Sequence, residues 1–228
     1  MRPASRPPRA CCDGVSVTAP LVAVLDYGIG NLHSAHKALQ HCGADARLTA
    51  DPALIADAAG VVLPGVGAFG ACMDALRSAG LEDPSHDAVA SGRPFLGICV
   101  GMQMLFSDSD ELRAGERVKG LGVFEGTVRW IEPTDGLKVP QMQWNRLDVT
   151  LPDDPMLAGL ADDAWVYFVH SLHGVPDDPA RVAATVDYGG TVNAAFRRDN
   201  VFAAQFHPEK SSRAGLRLLT NFVDGCRA

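Results

Sequence analysis

From Leu21 onward the chain switches between two hydrophobic periods. Leu21–Leu25 is a near-continuous apolar run ahead of Gly28 and Gly30, the pattern of a strand buried on both faces. Leu32, Ala35, Leu39 and Cys42 then recur at helical spacing, with Gly43 placed to end the helix. Ala46–Thr49 reads as a second strand, and Asp51-Pro52 as the N-cap and first position of another helix. Val61–Leu63 is a third strand that runs into Pro64-Gly65-Val66-Gly67. Helical segments are predicted over 69–79 and 85–91, then a strand over Pro94–Ile98 and a helix over Val100–Phe106. This βαβαβαβ rhythm predicts parallel strands with helices on both faces of a sheet.

The second half changes character. Val123–Ile131, Met142–Leu147 and Trp165–Val169 read as strands without long helices between them. Arg181–Asp187, Thr191–Arg197 and Val201–Phe206 read as a meander turning at Gly189-Gly190 and Asp199-Asn200. Ser211–Val223 is a closing helix with Leu216, Leu219, Phe222 and Val223 on its apolar stripe. Residues 1–19 carry Arg2, Arg6 and Arg9 among Pro3, Pro7 and Pro8, with neither helical period nor the apolar core of a secretory signal. They are expected to form a flexible tail. The expected architecture is one α/β domain over 20–228, built on a single open, mostly parallel mixed sheet flanked by helices.

Composition narrows the function classes. A length of 228 residues is ample for a sizeable core without disulfides or metals. The formal net charge of −7 argues against a dedicated nucleic-acid binder, and no apolar run reaches the roughly 18 residues of a membrane span. The six cysteines (Cys11, Cys12, Cys42, Cys72, Cys99 and Cys226) are scattered, with no C-x-x-C pair, so neither a disulfide scaffold nor a zinc site is expected. A reducing cytoplasm is the simplest setting, and no metal or cofactor is called for.

Ligands of open α/β sheets bind beyond the carboxyl ends of the strands, and three segments place unusual residues there. Gly97-Ile98-Cys99-Val100-Gly101 is a G-x-C-x-G at a strand-to-helix turn, where small residues two before and two after relieve a sharp bend. Such a turn sets the sulfur at a helix N-terminus, whose N–H groups favour a thiolate. A buried cysteine in a glycine-rich turn has the same pattern. Gln205-Phe206-His207-Pro208-Glu209 follows the last strand, with an imidazole and a carboxylate two positions apart. A surface turn would read alike, but beside the elbow the pair supplies the base and orienter that an activated nucleophile requires. Pro64-Gly65-Val66-Gly67 can turn a backbone N–H toward a ligand, as an oxyanion donor must, although phosphate binding or plain turn chemistry fits equally. Gly28-Ile29-Gly30-Asn31 lacks the third glycine of a dinucleotide fingerprint.

With these residues in hand, the chain resembles the class I (triad) glutamine amidotransferases. Within them it is similar to the glutaminase subunits of imidazole glycerol phosphate synthases, from about Val22 to Phe222. The resemblance is carried by Asp26-Tyr27-Gly28-Ile29-Gly30-Asn31, Leu63-Pro64-Gly65-Val66-Gly67-Ala68-Phe69, Gly97-Ile98-Cys99-Val100-Gly101-Met102-Gln103 and Phe206-His207-Pro208-Glu209-Lys210-Ser211. It implies a flavodoxin-like fold and hydrolysis of L-glutamine by a Cys99–His207–Glu209 triad. Oxyanion donors would come from Val100 and from the glycine loop, Val66 after a peptide reorientation, with Gly67 beside it. Gly65, Gln103, Glu111, His170 and Ser171 match glutamine-binding positions. The resemblance further implies a 1:1 heterodimer with a (β/α)8-barrel cyclase, faced by Asn31, Trp144, Asn145, Tyr167 and Lys210. That partner uses the ammonia to make imidazole glycerol phosphate and aminoimidazole carboxamide ribotide in histidine biosynthesis.

Two positions depart from the family pattern. Val139-Pro140-Gln141-Met142-Gln143-Trp144-Asn145 carries Gln143 where glycine is usual, and His170-Ser171-Leu172 carries Leu172 in place of tyrosine. Both lie outside the triad and bear on partner fit and regulation. Two other readings stay open at the level of sequence. One is the glutaminase subunit of pyridoxal phosphate synthase, whose first strand normally ends differently. The other is a non-catalytic partner-binding subunit, against which an intact triad argues.

Overall fold

A computed structural model describes residues 18–132, 136–161 and 163–227. The tail expected over 1–19 lies, up to residue 17, outside the described residues. The first half folds as its two periods predict: β1 (Leu21–Leu25), α1 (Leu32–His41), β2 (Asp45–Thr49), α2 (Pro52–Asp57), β3 (Gly60–Gly65), α3 (Phe69–Ser78), α4 (Glu82–Ala90), β4 (Phe95–Cys99) and α5 (Val100–Met104). The second half adds β5 (Phe106–Arg113), β6 (Glu116–Lys119), β7 (Phe124–Trp130), β8 (Gln141–Arg146), β9 (Asp148–Val149), β10 (Trp165–His170), β11 (Leu172–Pro176), β12 (Val182–Asp187), β13 (Thr191–Arg198), β14 (Val201–Ala204) and the closing α6 (Ser212–Gly225).

The main sheet has eight strands in the order β2-β1-β3-β4-β14-β13-β12-β9. The first five are parallel, and the β13 and β12 hairpins with β9 complete a mixed sheet. Strand order reverses at β1, so crevices open beyond the carboxyl ends of the central strands. The three motif segments leave from the ends of β3, β4 and β14, which are neighbours. Val61–Leu63, Phe95–Ile98 and Val201–Ala204 are all buried, as strands covered on both faces must be.

Beside this sheet lie a four-stranded sheet, β11-β7-β5-β6, and the ribbon β10-β8. The helix predicted over Val100–Phe106 ends at Met104, and a hairpin not expected from sequence follows. Packing gives the reason. The Phe106 ring is fully buried, stacked on Phe124 at 5.4 Å between ring centres and set edge-on to Phe196 at 5.1 Å. Ser107-Asp108-Ser109-Asp110 beyond it is poor helix former. The α6 stripe is also shifted, because Leu218 is buried with Leu219, Phe222 and Val223, whereas Leu216 is only half-buried. No helix among the described residues is long and apolar enough to cross a membrane.

Candidate active site

Cys99 closes β4 with φ +54° and ψ −116°, a conformation that costs a non-glycine residue roughly 1–3 kcal/mol. Its surroundings hold it there. A Cβ on Gly101 would lie 1.9 Å from the Leu63 carbonyl oxygen, and one on Gly97 would lie 2.9 Å from the Met102 Cα. The two small residues of the motif are therefore demanded by contact between the elbow, β3 and α5. Val100 is the first residue of α5, so its N–H has no acceptor within the helix.

Beyond β14, the chain turns through Pro208 into a single turn of 3-10 helix that brings Glu209 back beneath His207. Nδ1 of His207 lies 2.8 Å from Glu209 Oε1, and both side chains are 2 % exposed. The backbone is pinned too: the His207 N–H donates to the Tyr167 carbonyl, and Ser211 Oγ donates to the His207 carbonyl while accepting from the Tyr167 N–H. Burial pushes the His207 imidazolium down. Hydrogen bonds to Cys99 and Glu209, with the negative charge of both, outweigh it and hold the pKa at about 9. Oε2 of Glu209 is buried without a partner among the described residues, so the carboxylate charge is left to act on the imidazole.

Cys99 and His207 open into a cavity of about 300 Å³. One wall is the loop after β3, in which Gly67 takes φ +90° and nothing would obstruct a Cβ, so the constraint on it is conformational. Two side chains hold that loop by its carbonyls. Tyr27 Oη donates to Pro64 O at 2.5 Å, and Cys72 Sγ donates to Val66 O at 3.2 Å. Burial raises the pKa of both groups and keeps them protonated donors. Across the cavity, Glu111 Oε2 accepts from the Phe69 N–H at 2.6 Å, at the first turn of α3.

A buried polar chain forms the floor. Gln103 Nε2 donates to Leu172 O at 3.1 Å and to Gln205 Oε1 at 3.0 Å, while Gln205 Nε2 reaches Cys99 Sγ at 3.9 Å. Burial drives His170 down to about 4, so its ring is neutral, bonded through Nδ1 to Leu172 O at 2.8 Å. Its Nε2 is 2.9 Å from Gln141 Oε1, and the Gln141 Nε2 is buried without a partner among the described residues. Rotating the Gln141 amide by half a turn gives the bare ring nitrogen a donor, the better assignment for this pair.

The class-I glutamine amidotransferase profile matches residues 23–226. The chain belongs to the class-I glutamine amidotransferase family. It is 50% identical over 207 residues to the imidazole glycerol phosphate synthase subunit HisH of Synechococcus elongatus, covering 90% of this chain and 94% of that protein. It is likewise 49% identical over 209 residues to HisH of Syntrophotalea carbinolica, with 90% and 100% covered. Among solved structures, a glutamine amidotransferase (TM-score 0.69, 22% identity, 91% and 99% covered) and PurLQS of Thermotoga maritima (TM-score 0.70, 19% identity, 90% and 98% covered) share the fold.

For a class-I amidotransferase, the residues expected from sequence fall into two groups. Cys99, His207, Val66, Gly67, Val100, Gln103, Glu111, His170 and Ser171 all line the cavity. Gly65 lies behind it, where a Cβ would sit 2.5 Å from the Gly101 nitrogen. Of the expected partner-facing residues, Trp144 is exposed and packs edge-on against Tyr167, 6.0 Å between ring centres, and Lys210 is exposed. Asn31 and Asn145 are engaged within the chain, with Asn31 Nδ2 3.5 Å from Glu209 Oε1 and Asn145 Nδ2 2.8 Å from Asp187 O. Sequence reasoning assigned no role to Trp130, Pro140 and Val169, which also line the cavity, or to the supporting Tyr27, Cys72 and Gln141. Tyr27, Pro140 and Gln141 fall in the motifs quoted above, but their roles, like those of the others, arise from contacts between elements far apart in sequence.

Proposed function

We propose that this chain is the glutaminase subunit of an imidazole glycerol phosphate synthase, hydrolysing L-glutamine and handing the ammonia to a cyclase partner. One observation carries the reading: an elbow cysteine and a carboxylate-backed imidazolium share a cavity of amino-acid size, in a chain half identical to HisH proteins over nine-tenths of its length. Cys99 Sγ attacks the side-chain carboxamide carbon, and the carbonyl oxygen becomes an oxyanion received by backbone N–H groups of Val100 and the Val66–Gly67 loop. As the C–N bond breaks, His207 gives its proton to the departing ammonia, leaving a thioester on Cys99. His207 then takes a proton from water, the hydroxide attacks the thioester, and glutamate leaves as the C–S bond breaks.

The cavity matches this substrate at its other end. Both N–H groups of Gln103 are committed, so it offers Oε1, an acceptor for the α-ammonium, and Glu111 adds a carboxylate for the same group. The catalytic unit is a single domain over 20–228, working in the cytoplasm without a cofactor. The partner is a (β/α)8-barrel cyclase in a 1:1 heterodimer, which makes imidazole glycerol phosphate and aminoimidazole carboxamide ribotide in histidine biosynthesis. Asn31, Trp144, Asn145, Tyr167 and Lys210 lie on or behind the docking face.

The test is reconstitution. Mixed with a barrel cyclase and its ribotide substrate, the chain should release glutamate from glutamine, and Cys99→Ala should abolish the release. Absence of turnover in that mixture, with Cys99 reduced, would overturn the reading.

A further inference from the structure

We propose that Gln205 is a hydrogen-bond donor to the nucleophile, held in the donating orientation by an amide chain that ends on the backbone of β11. The inference rests on the glutaminase reading above and deepens it.

The polarity of the chain is set at one end. Leu172 O is a backbone carbonyl and can only accept, so the Gln103 side chain must turn its NH2 toward it. The second hydrogen of that NH2 then points at Gln205, which must present Oε1 to receive it. With Oε1 so placed, the Gln205 NH2 is directed the opposite way, to Cys99 Sγ. Gln205 is completely buried and Gln103 nearly so, leaving little water to compensate a reversed amide. The sulfur therefore meets an N–H and never a carbonyl oxygen. A donor strengthens its hydrogen bond as negative charge gathers on sulfur, while an acceptor in the same place would oppose that charge. His207 and Gln205 leave the same strand end two positions apart, so one short segment supplies the nucleophile with both its proton acceptor and its amide donor.

The same chain links reaction to substrate. Leu172 begins the strand that follows His170 and Ser171, and its carbonyl also receives the His170 Nδ1–H. Gln103 thus touches the cavity with Oε1 while passing the orientation of β11 on to Gln205. The departure from tyrosine at position 172 leaves this device intact, because it uses the backbone carbonyl.

Gln205→Glu separates the functions. It keeps the shape and the acceptor facing Gln103, and, assayed at alkaline pH where the new carboxyl is ionised, it offers Cys99 an oxygen without a hydrogen. Assayed for glutamine hydrolysis with the barrel cyclase and its ribotide substrate, it should lose about tenfold or more in kcat, as expected for a hydrogen bond to a charged group, with KM within about twofold. Gln205→Met loses both ends, so kcat should fall and KM should rise as Gln103 is released. Cyclase binding and the thermal midpoint of Gln205→Glu are measured alongside, and kcat within about twofold of the parent overturns the proposal. If either variant fails to fold, the parent protein still decides: the Gln205 side-chain amide resonances should shift between the parent and Cys99→Ala, and unmoved resonances overturn it. Inactivity of the parent itself would instead count against the glutaminase reading.

Discussion

Burial lowers the proton affinity of an imidazole, and it prevails at His170, over its hydrogen bond to Leu172 O, and at His173, both near pKa 4. His207 is as enclosed, yet its partners carry it to about 9. An unfolded histidine titrates near 6.5, so the signs are opposite. Between about 4 and 6.5 the unfolded chain binds more protons than the native His170 and His173, and stability rises with pH. Between about 6.5 and 9 the native His207 binds more, and stability falls. These three groups therefore place a maximum near pH 6.5, with a descending alkaline limb that belongs to His207. Calorimetric melting across this range should show that limb, and Glu209→Gln should flatten it while leaving the acid limb in place. Parallel profiles for parent and variant would refute the assignment. At this scale the cluster of Cys99, His207 and Glu209 was legible, because the three sit in motifs at the ends of neighbouring strands. The roles of the side chains around it were not: Tyr27 and Gln141 stand in quoted motifs and Cys72 in none, and all three reach the site from other strands and helices.

At the scale of elements, a parallel sheet delivers chemistry by its order. β3, β4 and β14 are adjacent, and the residues leaving their ends meet although more than a hundred positions separate Cys99 from His207. The alternation of periods made that half of the fold readable, since each strand is covered on both faces and each helix on one. The β5–β6 hairpin escaped because Phe106 continues the helical spacing of α5, and only its packing on Phe124 and Phe196, remote in sequence, pulls it into a strand. The hold on the Pro64–Gly67 segment, proposed to receive the oxyanion, also lies between elements: Tyr27 beyond β1 holds Pro64 O, and Cys72 from α3 holds Val66 O. Removing the second hold leaves the Val66–Gly67 peptide free to turn. Because the loop N–H becomes an oxyanion donor only after a peptide reorientation, Cys72→Ala should raise kcat for glutamine by about threefold to tenfold, the size of one neutral hydrogen bond, with little change in KM. Cys72→Ser, which restores a donor, should bring kcat most of the way back to the parent value. Equal kcat for parent and Cys72→Ala would show that the thiol serves packing alone.

Across the whole molecule, the site opens beside an unusual strip of surface. In the β8–β10 ribbon, Trp144 is paired with Tyr167 and Met142 with Val169, so these four residues share one face. The opposite face carries Gln141, Phe168 and His170 into the interior. On the outward face Met142 is 64% and Trp144 43% exposed, and Val169 continues it to the wall of the active-site cavity. A contiguous apolar strip that runs into a catalytic cavity suits a partner that must receive a small product before it escapes. The structure thereby divides the residues expected to face the cyclase. Trp144 and Tyr167 point outward, whereas Asn145 faces the other side of the ribbon and is tied to Asp187 O. Trp144→Ala should weaken binding of the barrel cyclase by about thirtyfold, the effect of losing an aromatic anchor worth about 2 kcal/mol, while the melting temperature of the free subunit stays within a degree or two. Asn145→Ala should show the reverse pattern, a lower melting temperature with a smaller change in affinity. Calorimetric titration of each variant with the cyclase, read against its own melting curve, decides the matter, and a Trp144→Ala protein that binds like the parent would remove the β8–β10 strip from the interface.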